Sequence, residues 1–292
     1  MQVGIYTLMI TPFSADMSID EGGLRLLIQR QLEGGVDGIA PLGVTGENNL
    51  LTDEEVLRVV KIIADEAKGK AKIVPDTCTT SYWKTEERIK DYVNLGADYI
   101  SVFSPHFILP KEDGIIEYYE KLADISEVPL ILHNSKDRTG IELTPEITSR
   151  LAKHPNIVGI KDGNKQLDHL AKVVHLTRND DFKVFTGKDT TAFPFASFGG
   201  KGSFTVAGNI IPGIMKEMIQ LTLAGDLEKA NEIHLKYYNL FEALRFESNP
   251  MAVKMALNLM GLPAGGLRLP LTPLSKSKTE ILKSILSELE LI

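Results

Sequence analysis

Short apolar runs rich in β-branched residues recur at intervals of roughly 20 to 35 residues, and the segments between them repeat their apolar positions at helical spacing. Eight such runs can be counted: GIYTLMI from residue 4, DGIAPLG from 37, KIVPDT from 72, DYISVFS from 98, PLILHN from 129, IVGIKD from 157, FKVFTG from 182 and GSFTVAG from 202. The intervening helices are clearest in DEEVLRVVKIIADEAK from 53, where Val56, Val59, Val60 and Ile63 share a face. Asp53, Glu54 and Glu55 crowd its first turn, where the helix dipole favours negative charge, and Thr52 is placed to cap it. Eight alternating units favour an α/β fold closed as a TIM (β/α)8 barrel over an open doubly wound sheet. No glycine-rich dinucleotide fingerprint follows the first run. Past residue 212 the strand signal stops, so the pattern predicts a barrel over 1–211 and a helical extension over 212–292 packed on it.

A chain of 292 residues suits one barrel with one core. No window nears the roughly 18 consecutive apolar residues of a membrane span, and the N-terminus MQVGIYTLMITPF lacks the features of a signal peptide. The expectation is a cytoplasmic protein with no membrane partner. The net charge of -7 and the dispersed basic residues argue against nucleic acid. The single cysteine, Cys78, excludes a disulfide framework and reads as a core or loop filler, and six isolated histidines offer no metal-ligand spacing. No metal or cofactor is expected.

In such a barrel, chemistry sits at the C-terminal ends of the strands. The second run leads into GVTGE at 43–47, whose amides and Thr45 hydroxyl suit a carboxylate, although glycine-rich loops often do no more than turn the chain. The sixth run delivers Lys161, either a buried amine made nucleophilic by a lowered pKa or a lysine that snorkels to solvent. The fifth run ends on His133 and Asn134, with Arg138 just beyond, and the seventh and eighth end in FTGKD and FGGKGSFTVAGN.

In order and spacing, GVTGE, HN followed by RTG, IVGIKD and GGKGSFTVAGN resemble the dihydrodipicolinate synthase and N-acetylneuraminate lyase family. The C-terminal NPMAVKMALNLMGLPAGGLRLPLTPLS is similar to the family's end signature, so the resemblance runs over nearly the whole chain. It implies a pyruvate-dependent Schiff-base lyase without cofactor, a homo-oligomer and usually a tetramer, acting on a small 2-oxo acid and an aldehyde. Lys161 would then condense with the 2-oxo acid, and Val44 and Thr45 would lie in the loop that holds its carboxylate. Phe204 would add a backbone contact, Gly187 would leave room for the substrate chain, and Arg138 would bind a distal carboxylate. His133 would fall where the family places a proton-relay tyrosine.

Three hydroxyls of the synthase's relay are absent by this resemblance: His133 replaces the tyrosine, Val44 a hydroxyl residue, and Phe107 in SPHF a tyrosine lent across a subunit interface. Lys161 still permits imine chemistry, and histidine is a competent general acid and base. Three readings follow: a class I aldolase of unspecified aldehyde partner, the synthase proper with His133 in the relay, and a 2-oxo-acid-binding protein without turnover. His106 reads first as a partly buried surface histidine, with service to the site or its interface as the alternative, and Trp83 lines either the pocket or a subunit contact.

Overall fold

The structure is a computed structural model describing residues 1–292. Its strands are β1 (Gly4–Leu8), β2 (Gly38–Ala40), β3 (Lys72–Ile73), β4 (Ile100–Phe103), β5 (Leu130–Asn134), β6 (Ile157–Asp162), β7 (Lys183–Thr186) and β8 (Gly202–Thr205). The helices are α1 (Glu21–Glu33), α2 (Asp53–Ala67), α3 (Tyr82–Asn94), α4 (Glu112–Ile125), α5 (Lys136–Thr139), α6 (Pro145–Leu151), α7 (Leu167–Thr177), α8 (Ala192–Ser197), α9 (Pro212–Ala224), α10 (Leu227–Ala243), α11 (Met251–Leu259) and α12 (Lys276–Glu288). All eight expected strands form, and Thr52 caps α2 in a capping box with Glu55.

The strands pair in parallel in the order β3-β2-β1-β8-β7-β6-β5-β4. The ring closes between β3 and β4 at a bridge between Asp76 and Ser101, where the Ser101 amide donates to the Pro75 carbonyl at 2.9 Å. At the β1–β8 seam a Cβ on Gly202 would stand 1.8 Å from the Gly4 carbonyl oxygen, so this close approach requires glycine.

Alternation along each strand divides the side chains between two cores. Leu130 and Leu132 point outward into the large apolar layer between strands and helices, whereas Tyr6, Val74, Ile131, Phe185 and Phe204 fill the barrel interior. The same alternation turns His133 inward, two residues beyond Ile131. Helix α9 packs on α1, β1 and β8, which makes it the last helix of the barrel ring. Helix α10 packs in turn on α9 and α12. No helix is long and apolar enough to cross a membrane.

Candidate active site

Lys161 and His133 are register partners on the paired strands β6 and β5. Both side chains point into a cavity of about 140 Å³ at the C-terminal mouth of the barrel, also lined by Val44, Thr45, Arg138 and Gly187. Its floor is aromatic: Tyr6 stacks on Phe204 at 4.9 Å between centroids, Phe185 meets both edge-on, and the Lys161 Nζ lies 5.8 Å from the Phe204 ring centre. Phe204 thus sits beneath Lys161, and Val206 is the residue from this segment that lines the cavity. Lys161 is buried, and burial lowers its pKa against the pull of Asp76. A larger fraction of neutral amine is therefore present near neutral pH than in an exposed lysine.

The residues next to these two do a different job. Asn134 and Asp162, also register partners, face away from the cavity and hydrogen-bond to each other at 3.1 Å. Asn134 further accepts from the Leu143 amide, and Asp162 from the Asn164 amide and His169. Of the paired motifs HN and KD, the first residue of each faces the chemistry and the second fastens the strand ends.

Asp76 completes the site, just beyond β3. Its Oδ2 accepts from His133 Nδ1 at 2.5 Å and from the Ser101 hydroxyl at 3.0 Å, and its Oδ1 accepts from the Cys78 amide at 3.3 Å and faces the Cys78 thiol at 3.5 Å. Burial pushes the carboxyl up, but His133, Lys161 and Ser101 outweigh it and hold Asp76 below the ordinary carboxylate value. A carboxylate only accepts, so His133 carries its proton on Nδ1 and presents the Nε2 lone pair to the cavity. Burial, then Lys161, lower the His133 pKa despite Asp76, which keeps the imidazole neutral as a base must be. A Cβ on Gly43 would stand 3.8 Å from Asp76 Oδ2 and 3.9 Å from Lys161 Nζ, so this glycine leaves open the space beside both groups. Cys78 supports Asp76 from a buried position where its thiol is pushed up by burial and stays protonated.

The GVTGE loop is held from the C-terminal extension. Asn249 Nδ2 donates to Thr45 Oγ1 at 2.7 Å, leaving the threonine proton available to a ligand. Glu47 adopts φ 56, a left-handed conformation that costs a non-glycine residue roughly 1–2 kcal/mol. It is kept there by a buried ion pair with Lys254 at 2.5 Å and by the Arg268 amide at 3.3 Å. Lys254→Met should therefore destabilise the protein by about 3–5 kcal/mol through the stranded Glu47 carboxylate. The midpoint of urea unfolding measures this, and an unchanged midpoint would refute the account.

His106 does not reach the cavity over Lys161. Its Nδ1 pairs with Thr80 Oγ1 at 3.1 Å, and it faces an adjoining cavity shared with Arg138, Asn249 and Cys78. No group of three or more His, Cys, Asp or Glu side chains converges as a metal site.

The family model described as the dihydrodipicolinate synthetase family matches residues 1–289. The chain belongs to the dihydrodipicolinate synthetase family. It is 40% identical over 286 residues to the 4-hydroxy-tetrahydrodipicolinate synthase of Methanospirillum hungatei, covering 97% of this chain and 98% of that one. Among solved structures it superposes on the dihydrodipicolinate synthase of Acinetobacter baumannii, complexed with pyruvate, with a TM-score of 0.97 at 34% identity and full coverage of both chains. A monomeric dihydrodipicolinate synthase variant matches with a TM-score of 0.96 at 33% identity, covering 99% of this chain and 97% of that one. The chain is thus a carbon–carbon lyase of the pyruvate-dependent, Schiff-base class of this family, on the barrel its sequence predicts.

Sequence reasoning selected Lys161, His133, Val44, Thr45, Arg138, Gly187 and Phe204; the first six line one cavity, and Phe204 lies beneath it, its ring 5.8 Å from the Lys161 Nζ. It passed over Asp76, although KIVPDT places this carboxylate at a strand end. It also passed over Asn249, Lys188 and Arg245, all three of which line the same cavity.

Proposed function

We propose that Lys161 carries pyruvate as an imine and that the Asp76–His133 pair moves the protons of carbon–carbon bond formation or cleavage. The neutral Lys161 amine attacks C2 of pyruvate, and the carbinolamine oxygen leaves as water. His133 Nε2 takes a proton from C3 as the iminium draws the electron pair toward nitrogen, giving an enamine. C3 then bonds to the aldehyde carbon, His133 returns the proton to the aldehyde oxygen, and water hydrolyses the imine to release product and restore the amine. Cleavage is the reverse sequence. The pyruvate carboxylate is assigned to the Thr45 hydroxyl and the amides around Val44, and Gly187 to the side where the chain of the partner passes.

The observation that supports this reading best is the register pairing of His133 with Lys161, with Nδ1 of the imidazole tied to a buried carboxylate. Its test needs no aldehyde. Pyruvate incubated with the protein in deuterated water should lose its methyl proton signal faster than in buffer. A methyl signal that persists would refute enamine formation.

The synthase proper is the second reading, favoured by Arg138 at the cavity mouth. Condensation of pyruvate with aspartate semialdehyde, followed in a coupled assay, decides it, and absence of product removes it.

A homo-oligomer is proposed as the working assembly. Trp83, Phe107, Ile108 and Leu109 are exposed by 76%, 92%, 59% and 61%. The His106–Thr80 contact brings the loop that carries Phe107 beside the start of α3, which carries Trp83. An apolar patch of this kind suits a second copy. Phe107→Asp with Leu109→Asp should shift the protein to monomer in sedimentation velocity. An unchanged sedimentation coefficient, or a monomeric wild type, would refute this use of the patch.

A further inference from the structure

Above Lys161 the cavity opens past three cationic side chains: Arg138 from α5, Lys188 from the loop after β7, and Arg245 just beyond α10. None of the three has a carboxylate within ion-pair distance, whereas neighbouring cations such as Lys136, Lys183 and Lys278 are all paired. The Arg138 guanidinium hydrogen-bonds only to the neutral Ser248 hydroxyl, at 3.0 Å.

The two acidic residues in the lining do not offset them. Glu247 is committed to Lys278 at 3.1 Å. Asp189 is buried, its Oδ2 takes the amides of Val206 and Ala207, and burial holds its carboxyl above the ordinary value against those hydrogen bonds. Burial, with Arg245, Lys165 and Arg138 adding repulsion and only Asp137 opposing, brings the Lys188 ammonium down to about 8. Lys188 therefore stays largely protonated at neutral pH.

This positive rim stands on a protein of net charge -7, so overall composition does not account for it. Uncompensated like charges around a cavity repel one another until an anion arrives. A single carboxylate would neutralise one of them. A phosphate ester carries about -1.5 to -2 charges and three acceptor oxygens, which two guanidinium forks and an ammonium can share.

We propose that this rim is the subsite for a phosphate ester on the far end of the aldehyde, so that the partner of pyruvate is a short phosphorylated aldehyde. The proposal rests on the reading of Lys161 as the pyruvate-bearing amine.

Wild-type protein is supplied with pyruvate and, separately, with glyceraldehyde 3-phosphate, glyceraldehyde and aspartate semialdehyde. The phosphorylated aldehyde should have the highest kcat/KM, about 100-fold or more above glyceraldehyde. Lys188→Ala and Arg245→Ala should each raise its KM by about 30-fold, with trapping of pyruvate by borohydride serving in each variant as the check that the site is formed. Inorganic phosphate should compete with the aldehyde and not with pyruvate. Equal kcat/KM for glyceraldehyde and its phosphate, or a preference for the semialdehyde, would overturn the phosphate subsite while pyruvate trapping persists. Absence of trapping in the wild type would instead overturn the role of Lys161 on which the proposal stands.

Discussion

Lys161→Ala should abolish turnover, a fall of about 10⁴-fold or more, and should eliminate the pyruvate adduct that borohydride fixes on the wild-type protein. The expectation follows from the position of the amine. Lys161 makes no ion pair or hydrogen bond within the chain, is 5% exposed, and lies over an aromatic floor that offers its charged form little solvation. A structural lysine in such a place would be paired, as Lys254 is with Glu47. Lys161→Arg separates chemistry from charge, because arginine keeps length and charge but cannot become a neutral nucleophile. It should be as inactive as the alanine variant. Intact mass after borohydride reduction with pyruvate is the measurement, followed by peptide mapping of the wild-type adduct. An adduct that survives in Lys161→Ala would show that another amine carries the substrate.

What could be read from the sequence depended on how local the signal was. β5 and β6 are long enough for alternation to be visible, so Ile131 and His133 fall on one face of β5, and Gly159 and Lys161 on one face of β6. Their depth in the barrel follows from the strand-end rule. β3 has only two residues before Pro75, and an aspartate after a proline reads as a turn former. Its role emerges only when β4 and β5 bring Ser101 and His133 to it. Asn249 and Arg245 lie some 200 residues from Thr45, in a segment whose local pattern is purely helical. No periodicity can report that such a segment folds back over a barrel mouth.

Asp76→Asn should lower turnover by about 10²–10⁴-fold while leaving Lys161 able to form the pyruvate imine. The carboxylate fixes the Nδ1–H tautomer of His133 and aims Nε2 at the cavity, and an amide can hold the ring in the wrong tautomer. The pH dependence distinguishes this from a general loss of structure. The negative charge of Asp76 raises the pKa of both Lys161 and His133, against burial. Removing it lowers both further, so the neutral amine persists to more acidic pH, and the acid limb of imine formation should move to lower pH. The same change makes His133 a weaker base, so methyl-proton exchange and carbon–carbon turnover should fall at every pH. His133→Asn should show a similar loss of turnover, and the double variant should be little worse than either single one, because the two residues act as one unit. Independent, additive losses would show that Asp76 serves the barrel seam through Ser101 and not the imidazole. An acid limb that stays in place would show that its charge does not reach Lys161.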